Sequence, residues 1–384
     1  MPDGTRVTIA LPNKGRLHDN TVAFLEKCAL KVKRDNARQY QSTMSGAGGP
    51  VDVVFQRARD IPTIVAEGKA DLGITGFDIF CETEREGGEC IAVFPDEKER
   101  GAQSIGPLPF GACNLVVAVP DHWVDVTAMA DVAELALAMK KDGNQRLRVA
   151  TEFPNLVRNF LFEKGVSNFQ IVEVYGAAES APKMGSADIV ADLASSGVTL
   201  AENRLKQIRG GEILRSSACL IASRKLREGG QGGGGKGAGK KLALVRNIVD
   251  RIDANMKARQ YWLVTANVAA PAPGKGEAFE DVLARALADG LTDDQRALLG
   301  RRGPTVARVL DMSGNGGSDE SGGNEAVYGV SLQVEADALD AVVGILRRQT
   351  GLDILVSPVA FAYESRVVAY DLLKAKLKKK AGGD

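Results

Sequence analysis

The chain has 384 residues, enough for two or three domains, with 49 basic and 49 acidic side chains and a formal net charge of zero. A balanced chain has no long-range field to attract nucleic acid or an anionic membrane, so any anion must be held by a local site. No apolar stretch approaches the ~18 residues that a membrane-spanning helix needs.

The five cysteines (Cys28, Cys81, Cys90, Cys113, Cys219) are scattered and never spaced C-x-x-C, and there are only two histidines, His18 and His122. That pattern argues for reduced thiols, against a closed zinc site, and for a cytoplasmic protein. The apolar run at 7–12 is too short for a secretory signal.

In chain order, strands are predicted at 7–11, 51–55, 71–76, 115–119, 148–151, 171–174, 189–193 and 218–222. Helical spacing appears over 17–28 and 63–67. Strands interleaved with helices predict an α/β fold with mainly parallel sheets. This pattern runs to residue 226, which is long for one sheet, so two lobes around a cleft are expected: lobe I over 1–98 and 186–226, lobe II over 99–185. A glycine-rich linker is expected at 227–241. Beyond it come a helix at 242–252, a strand at 260–268, a helix at 278–288, strands at 305–310 and 327–334, a helix at 336–348 and a strand at 352–359. From 260 the order is β-α-β-β-α-β, a ferredoxin-like domain over 242–366. A polar loop insertion at 313–324 and a basic tail at 367–384 complete the expected organisation.

Residues 234–240 fit the opening of a phosphate-binding P-loop, G-x-x-x-x-G-K. The next residue is Lys241, where a Ser or Thr hydroxyl would be required, so this match is rejected. A better anion site lies at 189–200, IVADLASSGVTL. A strand delivers Asp192, and Ser195, Ser196 and Thr199 offer hydroxyl donors. Gly197 permits a bend that lets successive N–H groups converge. Thr199 and Glu202 have the spacing of a helix capping box.

This order of acid, hydroxyl-rich loop and Gly-x-Thr resembles the ribose-phosphate loop of phosphoribosyltransferases. Further segments narrow the resemblance: LPNKGRL at 11–17, RARDIP at 57–62, ADLGITG at 70–76, VATEFPNLVR at 149–158, GAAESAP at 176–182 and RSSACLI at 215–221. In this order they resemble ATP phosphoribosyltransferase, the first enzyme of histidine biosynthesis, in its long, self-regulated form. The resemblance resumes with YWLVTANV at 261–268 and Gly303-Pro304-Thr305. It implies transfer of phosphoribosyl from phosphoribosyl pyrophosphate (PRPP) to N1 of ATP, with Mg²⁺, and a homo-hexamer inhibited by histidine.

It also implies site residues. Asp192, Ser195, Ser196, Gly197, Val198 and Thr199 would bind PRPP. Lys14, Gly15, Arg16, Arg57, Gly73 and Thr75 would serve ATP and its phosphates. Asp192, Arg16 and Glu179 would act in catalysis, with Asp192 and Glu179 also near the metal. Thr265, Asn267 and Thr305 would contact the inhibitor. The chemistry is compatible with so few histidines, because adenine N1 already carries a lone pair and needs no general base. The rivals are a non-catalytic two-lobed solute-binding protein and a phosphoribosyltransferase for a free base.

Overall fold

The computed structural model describes residues 6–34, 36, 39–85, 90–93, 108–195, 197–226, 236–269, 305–308, 327–350, 354–363 and 368–378, and part of 283–294. The expected insertion at 313–324 and Ser196 lie outside the described residues, as do the linker glycines up to 235. The chain divides into two compact units, one comprising Met1–Ile252 and Ser365–Asp384, the other Asp253–Glu364.

The first unit contains two sheets. One has seven strands, formed by β1 (Val7–Pro12), β2 (Lys31–Lys33), β3 (Gln41–Ser45), β4 (Val51–Gln56), β5 (Leu72–Gly76), β6 (Cys90–Ala92) and β12 (Ala218–Ser223). Their order is β2-β3-β4-β1-β5-β12-β6. The other is β11-β7-β10-β8-β9, built from β7 (Cys113–Pro120), β8 (Leu147–Thr151), β9 (Phe169–Glu173), β10 (Ile189–Ala194) and β11 (Leu205–Ser216).

Three sequence expectations change here. The sheets are not mainly parallel. Among the described strands, parallel pairing is confined to β4-β1-β5 and β10-β8-β9, and the flanking pairs are antiparallel. Short strands joined by hairpins, such as β2-β3-β4, need no crossover helix. The chain also does not return to the first lobe at 186, since β10 and β11 complete the second sheet. It crosses back only at Ser216–Ala218, between β11 and β12. The long β11 was not foreseen; its register shifts between Gln207 and Leu214, around Gly210 at φ +71°, hide the strand's alternation.

Helices cover these sheets: α1 (Gly15–Lys27), α2 (Ile61–Ala66), α3 (Phe77–Arg85), α4 (Met129–Lys141), α5 (Pro154–Glu163) and α6 (Val198–Glu202). Helix α5 buries Leu156, Val157, Phe160 and Leu161 against β8 and its neighbours, each contributing about 2 kcal/mol. In the first lobe, a Cβ on Gly73 would lie 2.6 Å from Ile61 Cγ2, so glycine is what lets α2 pack down on β5.

Helix α7 (Lys236–Ala258) corrects the linker, because residues 236–241 are already helical. Its Lys241 pairs with Asp71, 2.8 Å apart. The expected basic tail is also replaced in part by α9 (Val368–Lys378), whose Ala369, Leu373 and Leu377 are buried. Their four-residue spacing is a helical stripe that the lysines obscure.

The second unit holds a four-stranded antiparallel sheet in the order β14-β15-β13-β16, from β13 (Tyr261–Ala269), β14 (Thr305–Arg308), β15 (Val327–Glu335) and β16 (Ile354–Pro358). One face packs Val264, Ala266 and Val268 with Val342, Ile345 and Leu346 of α8 (Leu339–Thr350), and with Leu283, Leu287 and Leu291. Among the described residues, no helix is long and apolar enough to cross a membrane.

Candidate active site

The first cluster sits at the carboxyl ends of β1 and β4. Lys14, Gly15 and Arg16 open α1, and Arg57 follows β4; all four are exposed. Gly15 has φ +77° and nothing within 4 Å of a built Cβ, a conformation and an open front that suit close approach of a ligand to backbone. Among the described residues, Lys14, Arg16 and Arg57 have no ion-pair partner. The loop beneath is tied down: Asn13 N–H donates to Gln56 O at 2.8 Å, and Arg34 reaches Asn13 O at 3.3 Å and His18 Nε2 at 3.0 Å. The other His18 ring nitrogen, Nδ1, lies 2.7 Å from Pro12 O, so the ring donates there and accepts from Arg34. Sequence reading did not single out this brace.

Gly73 and Thr75 do not join this surface. Both are buried in β5, and the Thr75 hydroxyl donates to Ala58 O at 2.7 Å. They support the Arg57 loop from below.

The second cluster lies at the ends of β8 and β10. Asp192 is half-buried, with the Glu179 and Glu152 carboxyls close enough to act on its charge. Burial pushes the Asp192 carboxyl up to about 7; the Leu193 N–H, 2.7 Å from Oδ1, pulls it down, while Glu179 and Glu152 raise it further. Beyond Asp192, Ser195, Gly197, Val198 and Thr199 are exposed. Gly197 is the N-cap of α6 at φ +73°, again with open space around a built Cβ. The expected capping box is absent: Thr199 lies inside α6, Glu202 ends it, and the cap makes no side-chain bond. This leaves the Thr199 hydroxyl uncommitted to the helix end.

Glu152 was missed because its neighbours in sequence are a strand end and a helix start. Its carboxylate accepts the Gly176 N–H and lies 3.7 Å from Arg59, whose guanidinium is over the Tyr175 ring. Arg59 belongs to the first lobe and Glu152 to the second. Another contact between lobes is Ser216, whose hydroxyl donates to the buried Asp78 carboxylate and accepts from the Asp78 N–H at 3.0 Å. Among the described residues, no group of three or more His, Cys, Asp or Glu is arranged to hold a metal ion. A groove of about 470 Å³ between α3, α5 and β11 contains none of the expected site residues.

In the second unit, Thr265, Ser331 and Thr305 stand in one row across β13, β15 and β14. Asn267 lies two positions along from Thr265, on the same face, opposite the buried Val264, Ala266 and Val268. Sequence reading missed Ser331, which only strand pairing brings between the two threonines.

Exposed cations and two open glycine turns, together with clustered carboxylates, define a two-lobed α/β protein suited to a phosphorylated ligand. The ATP phosphoribosyltransferase family model matches residues 57–253. The chain is 42% identical to ATP phosphoribosyltransferase of Brucella anthropi over 224 residues, covering 58% of this chain and 92% of that protein. It is 38% identical to the Rhodopseudomonas palustris enzyme of the same name over 258 residues, covering 67% and 73% respectively. Among solved structures, the Thermotoga maritima ATP phosphoribosyl transferase (HisG:HisZ) complex matches at 22% identity and a TM-score of 0.45, over 64% of this chain and 98% of that one. The chain belongs to the ATP phosphoribosyltransferase family and is a transferase. The family match ends at residue 253, where the second unit begins.

Proposed function

We infer that the protein joins N1 of ATP to C1′ of PRPP and releases pyrophosphate, the first step of histidine biosynthesis, in the cytoplasm. The observation that carries this reading is the half-buried Asp192 carboxyl near the end of β10, beside the open Gly197 turn at φ +73°. The adenine N1 lone pair forms the new bond to C1′ as the bond to pyrophosphate breaks. Asp192 and Glu179 accept the ribose hydroxyls, and their charge offsets the developing oxocarbenium ion. Ser195, Ser196, Gly197, Val198 and Thr199 wrap the 5′-phosphate. Lys14, Gly15, Arg16 and Arg57 hold the ATP phosphates and the departing pyrophosphate, Arg16 through its rigid donor fork.

Asp192 and Glu179 would suit Mg²⁺, which takes one or two carboxylates and fills its shell with substrate oxygens and water. Bound there, Mg²⁺ would supply charge neutralisation on the pyrophosphate. The experiment is direct: incubation with Mg²⁺, PRPP and ATP should yield phosphoribosyl-ATP and pyrophosphate. Product from a free base but not from ATP would overturn the substrate assignment, and binding without turnover would favour the solute-binding rival.

The division into a catalytic part over 1–226 and a regulatory domain over 242–366 belongs to the same reading, as does the long, histidine-inhibited, hexameric form. The strand order β14-β15-β13-β16 supports a ferredoxin-like plan, and the Thr265–Ser331–Thr305 row with Asn267 supports a polar ligand there.

A further inference from the structure

Helix α5 begins on a sequence that cannot cap itself. Phe153 at its N-cap makes no side-chain cap bond, and Pro154 at the first position has no N–H. The next two N–H groups are met from the other lobe. Glu82 of α3 accepts from Asn155 N–H through Oε1 at 2.8 Å and from Leu156 N–H through Oε2 at 2.9 Å. Glu82 is only 6% exposed. A buried carboxylate with both oxygens on helix-start amides is a charge-assisted contact at the positive end of the helix dipole.

The turn that Glu82 holds carries Glu152, one of the carboxylates that act on Asp192. Thr151, at its root, pairs with Ala191, next to Asp192. Glu152 follows, bonded to Gly176 and 3.7 Å from Arg59. An exposed ion pair such as Arg59–Glu152 is too weak to fix this turn alone.

We propose that Glu82 is a positioning residue for phosphoribosyl transfer: through the start of α5 it fixes the 151–156 turn, and so sets Glu152 and Asp192 against the cationic loops of the first lobe. The proposal rests on the reading of Asp192 as a ribose ligand. Glu82 itself touches no reacting group. Its effect arises because the two ends of the breaking C1′–O bond are held by different lobes, and small misplacements of such groups are costly.

The test compares wild type with Glu82→Ala, Glu82→Gln, Glu152→Gln and Asp192→Asn, following phosphoribosyl-ATP formation with each substrate varied in turn. Glu82→Ala should lower kcat by about ten- to a hundredfold while the KM for ATP stays within about twofold. Glu152→Gln should lower kcat in the same direction, and adding Glu82→Ala to it should cost less than the product of the two separate losses. Glu82→Gln keeps one acceptor oxygen and should recover part of kcat; it also carries the test if Glu82→Ala does not fold. A lower unfolding midpoint with normal kcat would reduce Glu82 to a helix cap and overturn the proposal. Full activity in Asp192→Asn would instead overturn the ribose reading.

Discussion

Lys241 Nζ lies 2.8 Å from Asp71 Oδ1, joining the start of α7 to the residue that leads into β5. The other Asp71 oxygen accepts the Thr8 N–H at 2.9 Å, so this acid organises the first sheet. The lysine that stands where a P-loop would need Ser or Thr is therefore an ion-pair partner. Lys241→Met should destabilise the protein by about 1–3 kcal/mol, because a largely buried carboxylate loses its counter-charge. Urea unfolding measures this, and ATP affinity should be unchanged at a temperature where the variant is folded.

Asp192→Asn should leave the fold intact and reduce turnover by at least about a hundredfold. The pH behaviour follows from the raised carboxyl at about 7, against an ordinary 3.8. In the native state the neutral form is favoured, so stability from this group is full below 3.8 and is lost as pH rises towards 7. Ribose hydroxyls need an ionised acceptor, so kcat/KM for PRPP should climb through the same upper limit. The asparagine variant should lack both trends, which pH-dependent unfolding and initial rates would detect.

At Gly197 a side chain meets nothing within 4 Å, yet φ +73° disfavours any L-residue. Gly197→Val should thus cost about 1–2 kcal/mol through backbone strain. It should also raise the KM for PRPP more than that for ATP, because a branched side chain stands where the phosphate approaches. Equal changes in both would show that the loop does not belong to PRPP.

Thr265→Ala, Ser331→Ala and Thr305→Ala should each weaken histidine inhibition with little change in uninhibited turnover. The row lies in the second unit, so its effect must come from differential binding to two states of the enzyme. Titration of activity against histidine is the measurement. Point variants are preferable to a chain ending at Ser223, which would also remove the buried Leu244, Val245, Ile248, Val249 and Ile252 of the first unit. Unaltered inhibition in all three variants would move the sensing site elsewhere.

Local pattern was sufficient for what depends on neighbours in the chain. Strand alternation around 7–11, 51–55 and 261–268 and the glycine turn at Gly197 follow from residue spacing, as does the candidate role of Asp192, whereas the turn at Gly15 emerged only in the structure. Short, edge-paired or bulged elements escaped, among them β2, β3, β6 and β11, because their stability comes from partner strands rather than from their own periodicity. The same limit separates Ser331 from Thr265, and Glu82 from Asn155, until strand pairing and helix packing bring them together. Sequence by itself determined the family and the alternation of elements, and it named the candidate anion-binding groups. Tertiary structure alone decided which donors turn inward, as Thr75 does, and which acids share a field, as Asp192, Glu179 and Glu152 do. The reason is physical: a carboxyl group's proton affinity and a buried amide's partner depend on distance and desolvation, which chain order does not encode.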